Sequence, residues 1–126
     1  MGPMAILAVG LGAALGAWLR WGLGALLNAV FPTLPMGTLA ANLLGGYLIG
    51  IAVGVFTHHP GLSPALRLFL ITGFLGGLTT FSTFSAEAVG LMTRAEWGWA
   101  VAHVGAHLAG SLGMTWLGLV TARAIL

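Results

Sequence analysis

The sequence predicts an all-α integral membrane protein of four transmembrane helices, the third of them broken near its middle. Three observations carry that expectation. Of 126 residues, 59% are hydrophobic and 5% charged, where a soluble domain carries roughly 25% charged residues. The apolar residues form continuous runs long enough to cross a hydrocarbon core of about 30 Å, which takes about 20 helical residues. One of those runs is interrupted by paired glycines and clustered hydroxyls, a combination that weakens a helix. Six charged side chains (Arg20, Arg67, Arg94, Arg123, Glu87 and Glu96) cannot clothe a chain of this length in polar surface, so lipid is its solvent. The computed isoelectric point of about 10.7 reflects four arginines over two glutamates. No basic patch of the kind that nucleic-acid binders cluster on one face is present, so no nucleic acid is expected as a partner. With no cysteine, disulfides, thiolate metal sites and a cysteine nucleophile are excluded.

The elements follow in order. Met1-Gly2-Pro3-Met4 lacks the positive region of a signal peptide, and the apolar stretch behind it is read as a retained first span, about 4–27. A loop holding Asn28, Pro32, Thr33 and Pro35 leads to a second span, about 37–56. The polar joint Thr57-His58-His59-Pro60-Gly61 precedes the third, about 64–92, which is too long for one plain helix. Thr93-Arg94-Ala95-Glu96 separates it from a fourth, about 97–121. Residues 1–126 thus read as one membrane domain without a soluble module, both termini on the same side. A membrane barrel would alternate lipid-facing and lumen-facing residues, and these segments are continuously apolar.

Glycine supplies 21 residues, over twice the usual share of roughly 7%. Several recur at four-residue spacing: Gly12 and Gly16; Gly46, Gly50 and Gly54; and Gly105, Ala109 and Gly113. Small residues four apart form a flat stripe that lets helix backbones approach closely, which matters in lipid because apolar burial drives little association there. The arginines divide evenly between the two faces, Arg67 and Arg123 on one, Arg20 and Arg94 on the other. Since positive charge biases a loop to the cytoplasm, an even division gives no orientation, and either dual insertion or an unrecognised asymmetry is compatible with it.

Polar groups in a hydrocarbon slab are costly and are functional candidates by default. Gly73-Phe74-Leu75-Gly76-Gly77-Leu78-Thr79-Thr80-Phe81-Ser82-Thr83-Phe84-Ser85-Ala86-Glu87 puts five hydroxyl residues within seven positions behind a glycine pair. This predicts a break centred on Gly76 to Thr80, exposing carbonyl oxygens that suit a hard cation and N–H groups that suit an anion. Phe81 and Phe84 share a helical face beside Ser82, Thr83 and Ser85. Their ring edges carry positive potential and could hold a small anion, or they could simply pack. Asn42, mid-span between apolar neighbours, could donate to an anion or hydrogen-bond a neighbouring helix.

Three stretches resemble the signatures of the CrcB/Fluc fluoride channels: Gly12-Ala13-Ala14-Leu15-Gly16-Ala17-Trp18-Leu19-Arg20-Trp21, Gly37-Thr38-Leu39-Ala40-Ala41-Asn42-Leu43-Leu44-Gly45, and the Gly73–Ser85 run with Glu87. All three occur in family order on the first three spans. The resemblance implies an antiparallel, dual-topology homodimer in the cell (plasma or inner) membrane, its two pathways passing fluoride passively out of the cell and relieving fluoride toxicity. It implies ring edges from Phe81 and Phe84, an amide donor from Asn42, and a polar track of Ser82, Thr83, Thr38 and Glu87. It further implies backbone carbonyls from Gly76 and Thr79 to a structural sodium ion at the dimer interface. Arg20 matches the family's arginine near the mouth of the path, where it would draw anions in by its field or snorkel to the interface.

The fourth span departs from the family pattern, which has small polar or tyrosine residues where this chain has His103 and His107. Four apart, they share a face. A metal would need a third ligand, and no carboxylate near them in sequence supplies one, so interhelical hydrogen bonding is the expectation. His58 and His59 read as solvated. The rival function is a small dual-topology, proton-coupled multidrug exporter, which needs a membrane carboxylate in its first span; only Glu87, in the third, is available. An enzyme is not expected, since no base and nucleophile can be assembled in one site.

Overall fold

The computed structural model describes all residues 1–126 and is wholly helical. Helix α1 runs Pro3–Leu27, with Pro3 in its first turn, where a missing N–H costs no hydrogen bond. Helix α2 runs Met36–His58, and its first turn is held from the preceding loop by Asn28, whose Oδ1 accepts the N–H of Gly37 (2.7 Å) and of Thr38 (3.2 Å). The third crossing, Pro64–Thr93, is assembled from pieces. Helix α3 (Pro64–Arg67) opens on a Ser63 cap, continues as a π-helical stretch (Leu68–Leu75) and ends in a single turn, α4 (Gly76–Leu78); after a gap, α5 (Ser82–Thr93) resumes. Helix α6 fills Trp97–Ile125. All four crossings are long and apolar enough to span a membrane, and the chain is a multi-pass membrane protein. Its outward faces carry Leu11, Trp18, Leu112 and Trp116, each more than half exposed, as a lipid-facing surface does.

Boundaries differ from expectation in two places. Thr57 and His58 extend α2 instead of leaving it, because Thr57 Oγ1 donates to the Val53 carbonyl (2.7 Å) and His58 Nδ1 lies 3.1 Å from that of Gly54. The fourth helix runs past residue 121 to Ile125, which brings Arg123 into its last turn against the negative end of the helix dipole.

Two glycine-cut pairs build the bundle. In the first, α1 lies against the π-helical stretch and α4: a methyl added at Gly12 would sit 2.8 Å from Phe74 N, and one at Gly16 would sit 2.8 Å from Leu78 N. In the second, α2 lies against α6, where a methyl at Gly50 would fall 2.8 Å from Leu119 N. Only glycine permits backbones this close. The stripe of Gly105, Ala109 and Gly113 packs on no helix of its own chain: all three are exposed, and Gly105 and Gly113 have open space around them. The packed face of α6 is instead the one bearing Ala100, His103, His107, Gly118 and Ala122. Between the pairs, Ala41, Leu75 and Leu78 form a small buried core, with Leu23, Leu48, Ile49 and Phe74 around it.

The break joins the pairs. The first half of the third crossing belongs to α1, and α5, beyond the gap, packs on α6. Gly76 to Leu78 remain helical, and the chain opens at Thr79, whose backbone is extended (φ −86°, ψ 155°). The gap therefore covers 79–81, the C-terminal end of the expected window and just past it.

Candidate functional site

The gap is held open by one side chain. From about two turns into α2, Asn42 Oδ1 accepts the Thr80 N–H at 2.8 Å, and its Nδ2 donates to the Thr80 carbonyl at 2.9 Å. The primary amide thus pairs with the Thr80 peptide as a neighbouring strand would, and a helix is replaced locally by a side-chain partner. Nδ2 also lies 3.0 Å from His107 Nδ1 on α6. Asn42 therefore joins α2, the break and α6, the interhelical role that its position left open, and both of its N–H donors are engaged within the chain.

The four carbonyls from Gly76 to Thr79 lose their helical backbone donors across the gap. A continuous helix would send the Thr80 N–H to the Gly76 carbonyl; it goes to Asn42 instead. It would also send the Thr83 N–H to the Thr79 carbonyl, and that N–H goes to Thr80 Oγ1 at 3.0 Å. Gly76 is exposed and Thr79 half-buried. Of the two carbonyls between them, that of Gly77 accepts the Nε–H of Arg20 at 3.0 Å, and that of buried Leu78 has no backbone donor. Arg20 is thus tied to the break rather than reaching freely away from it.

Cavities open on both sides of Thr80, one polar and the other mainly apolar. One, about 370 Å³, is lined by Arg20, Asn28, Thr38, Thr80 and Thr83. The other, an open groove of about 480 Å³, is lined by Asn42, Thr79, Thr80, Phe81, Phe84, His107 and others. Phe84 is buried, while Phe81 is 74% exposed. Their rings meet edge to face, with centroids 5.5 Å apart at 65°. Phe84 lies nearly flat against His103 (5.3 Å, 27°) and tilted against His107 (4.6 Å, 34°). Imidazoles thus pack against Phe84 from α6.

One turn beyond Phe84, Glu87 Oε2 accepts the Thr38 hydroxyl at 2.7 Å. Its Oε1 lies 3.3 Å from His103 Nε2 without the alignment of a hydrogen bond. Thr38, Asn42, Thr83, Phe84 and Glu87 thus converge, whereas Phe81 and Ser82 face outward, Ser82 Oγ reaching only Thr80 Oγ1 at 3.4 Å. His58 and His59 are exposed, as read. One participant is not singled out by the sequence. Thr80 was one hydroxyl among five, and nothing local distinguishes it. The absence of a third ligand for His103 and His107 is corrected: Glu87, remote in sequence, stands beside them.

This arrangement has relatives. The family model described as CrcB-like protein, Camphor Resistance (CrcB), matches residues 7–119. The chain belongs to the CrcB family. The CrcB match begins in α1 and ends in α6, so it takes in every crossing and all the residues of the break. Relatives bearing the name fluoride-specific ion channel FluC include one from Cupriavidus pinatubonensis, 63% identical over 98% of this chain and 98% of the relative. Another, from Ralstonia pickettii, is 63% identical with the same coverage. One from Nitrosospira multiformis is 61% identical over 98% of this chain and 96% of its own length.

Proposed function

We propose that this CrcB protein is a fluoride-specific channel of the plasma membrane that lets cytoplasmic fluoride leave down its electrochemical gradient. The carrying observation is the near-complete alignment, at about three residues in five identical, with proteins of that name. The site suits the task chemically. Fluoride gives up strong hydration on entering lipid, and must meet donors that replace it without a fixed charge deep enough to trap the ion. Hydroxyls of Thr80, Ser82 and Thr83 and the ring edges of Phe81 and Phe84 form such a lining, and Thr38, its hydroxyl donated to Glu87, marks with Glu87 the far end of the track. The Arg20 guanidinium stands at the polar cavity and concentrates anions there. Asn42 contributes by fixing the break, and donates to fluoride only on releasing a present partner.

The working unit is an antiparallel homodimer of oppositely inserted chains. Phe81, 74% exposed on one chain, and the open groove beside it support a second copy as their cover. The balanced arginines support insertion in both directions. The Gly76 and Thr79 carbonyls, deprived of their helical donors, fit a hard cation with oxygen ligands, and a structural sodium ion shared by two copies would neutralise them.

Reconstitution in potassium-loaded liposomes with valinomycin, followed by fluoride- and chloride-selective electrodes, tests the reading. Rapid fluoride loss with chloride retained is expected. Phe84→Ile should slow fluoride loss at least roughly tenfold, equivalent to about 1.4 kcal/mol of lost ion stabilisation. Equal retention of both ions by intact protein would refute the assignment.

A further inference from the structure

We propose that Glu87, His103 and His107 form a binding site for one divalent transition-metal ion of the zinc class. The two histidines stand four apart on one face of α6, with ring centroids 4.5 Å apart, and Glu87 reaches them from α5. One ligand atom from each residue lies within 4.8 Å of the other two. His103 and His107 are 2% and 3% exposed. The buried side-chain polar atoms without a hydrogen-bond partner are Glu87 Oε1, His103 Nε2 and His107 Nε2, all in this cluster. Buried polar groups are ordinarily satisfied, so three unpartnered ones in one place call for a ligand.

The ligand's class follows from the donors. A tetrahedral ion with bonds of about 2.0–2.1 Å holds its ligand atoms about 3.3–3.4 Å apart. The Glu87 Oε1 to His103 Nε2 distance of 3.3 Å already matches, and His107 closes the remainder by turning its ring. Two imidazoles and a carboxylate suit zinc, cobalt or nickel, whereas calcium and magnesium take all-oxygen shells. Three protein ligands leave a fourth position for water. The Thr38 hydroxyl on Oε2 fixes the carboxylate from its outer side, as outer-shell partners of metal ligands do.

Loading has a structural consequence. Asn42 Oδ1 is committed to the Thr80 N–H, so the atom facing His107 Nδ1 is the amide nitrogen, and the ring carries its proton on Nε2. A metal at Nε2 requires the other neutral tautomer, with the ring proton moved to Nδ1, where it would face the Asn42 amide N–H donor-to-donor, so that contact is given up. Metal occupancy therefore loosens a fastening of the break, beside Phe84.

The test is titration of cobalt(II) into the detergent-purified full chain, read by visible absorption. One equivalent per chain is expected, with the strong ligand-field bands of four-coordinate cobalt, bleached by zinc. Affinity should fall at least tenfold in His103→Ala and in His107→Ala, and stay unchanged in the His58→Ala/His59→Ala double variant. His103→Gln and His107→Gln, which keep side-chain bulk, should behave like the alanine variants, with size-exclusion elution matching the parent. An absence of bands, or bands that follow the surface pair His58 and His59, would overturn the site. Because the readout is optical, that result is distinct from any failure of fluoride flux.

Discussion

Asn42 does with a single primary amide what usually takes a strand. By binding both the N–H and the carbonyl of Thr80 it makes the broken conformation cheaper than the helix, and it spends its remaining donor on His107. Removing it leaves a peptide group without partners at membrane depth, where no water compensates. Asn42→Ala should cost about 1–3 kcal/mol of stability, seen as a lower midpoint in thermal unfolding of the detergent-solubilised protein. Thr80→Val, which keeps the backbone pairing and removes only the hydroxyl that accepts the Thr83 N–H, should cost less, about 0.5–1.5 kcal/mol. Equal losses would assign the break to the hydroxyl instead. Phe84 illustrates a different constraint: buried, with His103 stacked and His107 tilted against it, its ring is held by packing.

Among the helices, close backbone approach is what holds the pairs. Gly16 meets the backbone at Phe74 and Leu78, so a methyl there must push α1 away from α4, whereas Gly113 has nothing near it. Gly16→Ala is expected to destabilise by about 1–3 kcal/mol, and Gly113→Ala to stay within about 0.5 kcal/mol of the parent. Comparison of their unfolding midpoints checks the pairing directly; a neutral Gly16→Ala would mean that α1 does not sit where described. If Gly113→Ala instead altered the elution volume, the outward small-residue face would be an interface between chains. The π-helical stretch belongs to the same scale. Its wider turn carries Gly73 to within contact of α1, where a methyl would lie 3.0 Å from Gly12 Cα.

For the molecule as a whole, the proposals concern what one chain leaves open. Lysines added to a single loop should fix one orientation by the positive-inside bias. Vesicles holding only one orientation should then show no fluoride flux, and mixing the two locked versions should restore it. Flux from singly oriented protein would refute antiparallel assembly. The proposed structural sodium is tested by exchanging it for a large organic cation during purification. Flux should fall and return on adding sodium, since the N–H groups that a helix would send to the Gly76 and Thr79 carbonyls are committed elsewhere.

Composition and run length alone decided that this is a four-span helical membrane protein, because apolar surface can be hidden from water by length and hydropathy without any knowledge of contacts. The weakness of the third helix was also legible, in its glycines and hydroxyls. The residue at which it opens was not: Thr79 opens because Asn42, remote in sequence, captures the next peptide, and local propensity is silent about such a partner. The glycine stripes were visible on all three helices, yet which face of α6 turns inward depended on what α2 and α5 present to it. Glu87 and the two histidines show the same limit. Their spacing in sequence separates them, and only the crossing of α5 over α6 brings an oxygen and two nitrogens into one buried place.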